Sequence, residues 1–279
     1  MVGLTTKAGG YARTDHVRPQ ANPRPNRRRT LIRAAEFCFA AALRLAPRGR
    51  RFGLTLKIAS AAVPLLRRTS AYRQQESIGF DGPREIALHF MLNALTRNGT
   101  RFDPSVRVSG FEEFERALAA GAGVLVVGPH AALTLLMVRL FADRGLDPVV
   151  VSPDPGMRAA GTTETVRTIQ PSPTFLVQTR SRLRRGELVC AMPDRAEHHG
   201  ARTVEFATAG GRVIVAPALL QVAARCGARV VFTEVHTEGR TVVAGTIAAP
   251  ADSSSGDAIL EGFKQFVRAR AAARAAFNG

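Results

Sequence analysis

The sequence has no tryptophan, only two tyrosines and only three cysteines. Cys38, Cys190 and Cys226 are widely separated, with neither a C-x-x-C pair nor metal-ligand spacing, so a disulfide scaffold and a zinc site are both unexpected. A reducing cytoplasm suits such thiols. Long apolar runs are also missing: arginine or proline interrupts every stretch before the ~20 residues of a membrane-spanning helix. The N-terminus does not follow a signal peptide's order of charge, short apolar block and small-residue cleavage site, so the chain is expected to be non-spanning and unexported. Absent too are G-x-x-x-x-G-K-[ST], H-E-x-x-H and G-x-S-x-G, and P-loop, zincin and serine-hydrolase mechanisms lose support. Gly121-Ala122-Gly123 precedes a predicted strand instead of following one, which rules it out as a dinucleotide-binding turn.

What is abundant is positive charge, and it is unevenly placed. The formal net charge is +17. Residues 1 to 75 hold sixteen Lys and Arg against Asp15 and Glu36 alone, while the rest is nearly neutral. Such a front end suits an anionic membrane surface, an acidic partner or nucleic acid. The scarcity of aromatic side chains and the lack of any nucleic-acid motif count against the last.

Residues 1–29, rich in Gly, Pro, Asn and Arg, are expected to form a disordered basic tail. Residues 30–100 are expected to be an N-terminal helical, membrane-facing segment, and 101–279 an α/β core. Thr30 offers an N-cap to a helix with a narrow polar stripe of Arg33, Glu36, Ala40 and Arg44. A second apolar helix, Phe52 to Leu66, follows Pro47 and closes at Arg67 and Arg68. Two apolar helices flanked by arginines fit an interface with lipid phosphates, and equally fit two core helices with solvated ends. A third helix from Pro83 carries Glu85, His89, Asn93 and Arg97 at a spacing of four, which puts His89 on a solvated face. Ser109 and Glu112 read as a capping box.

From there the pattern alternates. Val124–Gly128, Pro148–Ser152, Leu188–Met192, Val204–Ala207, Arg229–His236 and Thr241–Ile247 read as strands, the last two joined by a hairpin turn at Thr237–Arg240. Residues 131–143, 175–185, 216–226 and 256–276 read as helices. The fold class expected is α/β: a mixed, mostly parallel central sheet flanked by helices and preceded by an N-terminal helical segment.

One residue stands out chemically. His130 ends Val124-Leu-Val-Val-Gly128-Pro129-His130, past a strand and ahead of a helix, where α/β sheets place reactive groups. The positive end of a helix dipole disfavours imidazolium and keeps a neutral base available near pH 7. The competing role is a capping or packing histidine.

The blocks around it, Phe111-Glu-Glu-Phe through His130, Leu183-Arg-Arg-Gly through Pro193-Asp194, Val204-Glu205-Phe206 and Ala216-Pro through Val231, resemble the lysophospholipid acyltransferase superfamily, above all its lipid A and phosphatidylinositol-mannoside acyltransferase branch. The resemblance spans about residues 31 to 275 and lies in the order of blocks. The family signature is H-x4-D or H-x4-E, in which the histidine deprotonates an acceptor hydroxyl that attacks an acyl thioester. Carried over, the base is His130. The acid position is Leu135, a departure that rules out the family-standard dyad.

A substitute acid would have to come from elsewhere. Asp194, at a strand end in the block matching the acceptor-binding region, is the first candidate; capping or pairing with Arg195 is its alternative role. Glu234 is the second, since alternation puts Phe232, Glu234 and His236 on one face of their strand, with an edge strand as the explanation for charge there. Glu205, His236, Arg180 and Arg195 are candidates for substrate contact, and His198 and His199 read as exposed loop residues.

The expected function is therefore transfer of a fatty acyl group from acyl-carrier protein or coenzyme A to a hydroxyl or amine of a lipid or secondary-metabolite acceptor. It would take place at the inner face of the cell membrane, without metal or bound cofactor. The alternative is a non-catalytic lipid-binding relative that has lost the dyad.

Overall fold

The computed structural model describes residues 27–70, 72–73, 81–129, 131, 133–194, 202–209, 211–238 and 242–278. The described helices are α1 (Arg27–Arg44), α2 (Arg48–Leu66), α3 (Pro83–Arg97), α4 (Phe111–Ala119), α5 (Thr134–Asp143), α6 (Phe175–Arg184), α7 (Ala218–Cys226) and α8 (Gly256–Asn278). The strands are β1 (Val106–Ser109), β2 (Val124–Val127), β3 (Val149–Val151), β4 (Arg167–Ile169), β5 (Leu188–Ala191), β6 (Val204–Thr208), β7 (Gly211–Val215), β8 (Arg229–Glu238) and β9 (Val242–Ala248).

Seven strands form one sheet in the order β1-β9-β8-β2-β5-β3-β4, parallel throughout except for the β8–β9 pair, and β6 and β7 form a separate hairpin. This is the mixed, mostly parallel α/β architecture expected from the alternation. Every residue of β2, β3 and β5 is buried, as continuous apolar runs covered on both faces require. Val124, Val126, Val150 and Cys190 face the helices α2 to α5, packing with Leu56, Leu88, Phe114, Met137 and Phe141. Leu125, Val127, Val149 and Val189 face α6 to α8, packing with Phe175, Leu219, Ile259 and Phe263. Cα packing divides the chain into Met1–Ala35 and Glu36–Gly279. Of the first unit, residues 27–35 are described, as the opening turns of α1.

Several local expectations are corrected. Thr30 is not an N-cap, since α1 already begins at Arg27. The Ser109–Glu112 capping box does not form. Ser109 ends β1, with its hydroxyl donating to the Gly245 carbonyl at 3.4 Å, and the N-cap is Gly110 at φ 73°. A Cβ at Gly110 would lie 2.0 Å from the Ile247 carbonyl oxygen, so only glycine fits that turn. The stretch before α7 is the strand β7, in which Val213 and Val215 are buried while Arg212 and Ile214 are exposed. Strand β8 continues through Glu238, beyond the expected turn at Thr237, and residues 239–241 lie outside the described residues. Most consequentially, β8 is not an edge strand; it lies between β9 and β2.

Candidate active site at the carboxyl ends of the strands

Strands β2 and β5 run parallel and in register, Val127 opposite Ala191, and the Gly128 N–H donates to the Ala191 carbonyl at 3.3 Å. On the other side, a Cβ on Gly128 would stand 2.6 Å from the Thr233 carbonyl oxygen of β8. Glycine thus lets the chain leave the sheet tightly wedged between two neighbours. Gly128 and Met192 therefore leave adjacent strands side by side; in the sequence His130 is three positions past Val127 and Asp194 three past Ala191. His130 itself lies outside the described residues, as do Arg195, His198 and His199. Asp194 is described and half-buried.

A cavity of about 560 Å³ opens at these strand ends. Ala131, Thr134 and Leu135 border it after β2, Val151 and Ser152 at the end of β3, and Met192 after β5. Its outer wall is the polar stripe of α3: His89, Asn93, Thr96 and Arg97. Facing that stripe is the loop after β3, where Asp154 accepts from the Gly156 N–H at 2.8 Å and the Ser152 hydroxyl accepts from the Asp154 N–H at 3.1 Å. Helix α3 is fastened at both ends. Glu85 is buried and accepts from the Thr237 N–H at 2.8 Å and from the Thr237 hydroxyl, whereas the Thr96 hydroxyl accepts from the Gly161 N–H at 3.1 Å.

Thr134, Leu135, Met157 and Met192 are shared with a narrow apolar slot of about 20 Å³ that runs into the core among Val126, Phe141, Val150 and Cys190. Three of the five methionines in the chain, Met137, Met157 and Met192, line this slot. Such flexible thioethers adapt readily to irregular space in a core. Burial pushes the Cys190 thiol up to about 12, so it contributes apolar wall and no thiolate.

The other sequence candidates are elsewhere. Glu234, with a fully buried side chain, is ion-paired to Arg274 of α8, and the Arg270 Nε lies 4.0 Å from its second oxygen. It lines a separate cavity of about 100 Å³ together with Glu85, His236, Arg270 and Arg274. The buried charge is therefore explained by two guanidinium groups from the covering helix and not by a sheet edge. The His236 Nε2 stands 3.3 Å from Glu238. Glu205 is exposed and paired with Arg212 across the β6–β7 hairpin at 2.8 Å. Arg180 is exposed on α6, which packs on the opposite face of the sheet from α3. Among the described residues, no group of three or more His, Cys, Asp or Glu side chains is placed to hold a metal ion.

No protein-family model matches this sequence, and no curated protein matches it either.

His89 corrects the expectation of a solvated face: it is half-buried in the cavity wall, its Nε2 2.9 Å from the Asn93 amide nitrogen. The spacing of four was visible in the sequence. What the stripe faces was not, because the β3–β4 loop closes the cavity from more than fifty residues away.

A second surface concerns α1 and α2. Among the described residues, five of the seven exposed large hydrophobic side chains are Phe37, Leu45, Leu54, Ile58 and Leu65. Part of the surrounding arginine cluster is occupied internally. Arg51 donates to the carbonyls of Ala46, Arg101 and Arg44, and Arg48 pairs with Asp103 at 2.7 Å. Arg50, Lys57, Arg67 and Arg68 are exposed. No helix among the described residues is long and apolar enough to cross a membrane.

Proposed function

We propose that this protein transfers an acyl group from a thioester of coenzyme A or acyl-carrier protein to a hydroxyl or amine of a lipid or secondary-metabolite acceptor, with His130 as general base and Asp194 as the carboxylate that orients it. The observation supporting this reading is the Val127–Ala191 register: the chain leaves these adjacent strands at a cavity bordered by Ala131 and Met192, which has a polar wall and an apolar extension. Asp194 is preferred to Glu234, whose charge is already neutralised by Arg274 and Arg270.

In this mechanism His130 takes the acceptor's proton as its oxygen or nitrogen bonds to the thioester carbonyl carbon. The C–S bond then breaks, and the leaving thiolate recovers the proton from the imidazolium. A carboxylate holding the other ring nitrogen fixes the tautomer, which is the role proposed for Asp194. The apolar slot beyond Leu135 would take the acyl chain. The exposed Leu45 and Leu65 with Arg67 and Arg68 would seat the protein on an anionic bilayer.

The test is acyl-product mass spectrometry with purified protein, acyl-coenzyme A and a lysophospholipid acceptor. His130→Ala is expected to lower the rate by about 10²–10⁴-fold, with circular dichroism unchanged. Transfer that persists in His130→Ala refutes the assignment. A non-catalytic lipid-binding role is the second reading. Leu135 favours it, because an apolar side chain lines the cavity where the family it resembles carries its acid. Binding of an acyl amphiphile without turnover of any thioester would select it.

A further inference from the structure

The outer cavity and the apolar slot divide the site chemically. Leu135, Met157 and Met192 border both spaces, whereas His89 and Asn93 border only the outer one. A chain-bearing substrate with its tail in the slot therefore presents its polar end to α3. There the Asn93 amide nitrogen is 2.9 Å from the His89 Nε2. Imidazole and amide thus stand as one polar pair on the cavity wall. The ring also rests edge-on against Phe90, centroids 5.8 Å apart, which limits its rotation. With Glu85 and Thr96 fastening the two ends of the helix, the pair stands on a fixed wall.

We infer that the His89–Asn93 pair binds the hydroxyl-bearing end of the acyl acceptor, and that His89 acts there as a binding group and not as a second base. The inference deepens the acyl-transfer proposal and rests on it for the word acceptor. The binding pocket itself is testable without turnover. Contact with Asn93 already engages Nε2 of the ring. A hydroxylated head group needs donors and acceptors held at fixed points, which an imidazole beside an amide supplies.

The experiment measures binding of octyl glucoside, an alkyl chain with hydroxyls, against octyltrimethylammonium, the same chain without them. It uses the full-length protein and the variants His89→Ala, His89→Asn and Asn93→Ala. Loss of one hydrogen bond is expected to weaken octyl glucoside binding about 5- to 10-fold in His89→Ala and Asn93→Ala, with the hydroxyl-free amphiphile unaffected. His89→Asn, whose amide nitrogen stands near the Nδ1 position, is expected to recover most of the loss. Nitrogen-15 spectra of the histidine rings should show His89 shifting with octyl glucoside. Equal weakening of both amphiphiles, or no weakening of either, overturns the inference. Hydroxyl-selective loss in a protein that turns over no thioester leaves this pocket standing and removes the acyltransferase reading. In a protein that does turn over thioesters, His89→Asn should keep the wild-type pH profile. A lost limb of that profile would make His89 a base and refute the assignment.

Discussion

At the scale of single residues, Leu135 is the position where chemistry and packing compete. It lines the cavity and is half-buried against the apolar cluster under β2. A carboxylate there would be hydrated from the cavity side, so Leu135→Asp is expected to fold with a loss of about 1–3 kcal/mol, seen as a modest fall in Tm. If Asp194 supplies the charge that His130 needs, Leu135→Asp placed in an Asp194→Asn background should restore at least part of the lost transfer rate. No recovery, in a double variant that folds, counts against Asp194 as the supporting acid. Cys190 gives an independent check on the slot beneath. Its thiol is held up to about 12 by burial, whereas Cys38 is exposed. Iodoacetamide at pH 8 should therefore label Cys38 and spare Cys190 until denaturant is added, as peptide mass mapping would record.

At the scale of elements, α8 does more than cover the sheet. Its Arg274 and Arg270 hold the charge of Glu234, fully buried on the interior strand β8, and on the same strand Thr237 receives Glu85 from α3. Removing Arg274 leaves a buried carboxylate with weaker compensation, so Arg274→Met is expected to cost about 3 kcal/mol in denaturant-induced unfolding. Glu234→Gln in the same background should recover much of this, because the neutral amide no longer needs a cation. A cost near zero for Arg274→Met would mean that Glu234 is solvated or protonated. Strand β4, with three residues, left no periodic signal to read, β1 offered only the brief alternation of Val106 and Val108 with Arg107 and Ser109, and β7 was hidden because its alternation begins inside a glycine turn. The apolar runs of β2, β5 and β8 were legible, because strands buried on both faces need apolar residues at almost every position.

At the scale of the whole molecule, the exposed apolar side chains Phe37, Leu45, Leu54, Ile58 and Leu65 fall in the same stretch of sequence as the surplus of positive charge. Leu45 and Leu65 are 89% and 69% exposed, so replacing both with aspartate should leave thermal stability within about 0.5 kcal/mol. The same change should weaken co-sedimentation with phosphatidylglycerol vesicles at least tenfold. Binding of the unaltered protein should fall as salt rises and be weak on phosphatidylcholine. Equal binding to both lipids, or none to either, would sink the membrane-surface reading.

The sequence by itself determined the α/β class, the succession of most strands and helices and the cationic front end, because each follows from local pattern and composition. Tertiary structure alone decided that β8 is interior, that Glu234 is consumed by arginines of α8, that Asp194 and His130 follow register-matched strand ends, and that His89 looks into a cavity. The physical reason is the same for all four. Strand order and register depend on which runs pair across the sheet, and pairing is set by packing between residues tens to more than a hundred positions apart, which no local periodicity encodes.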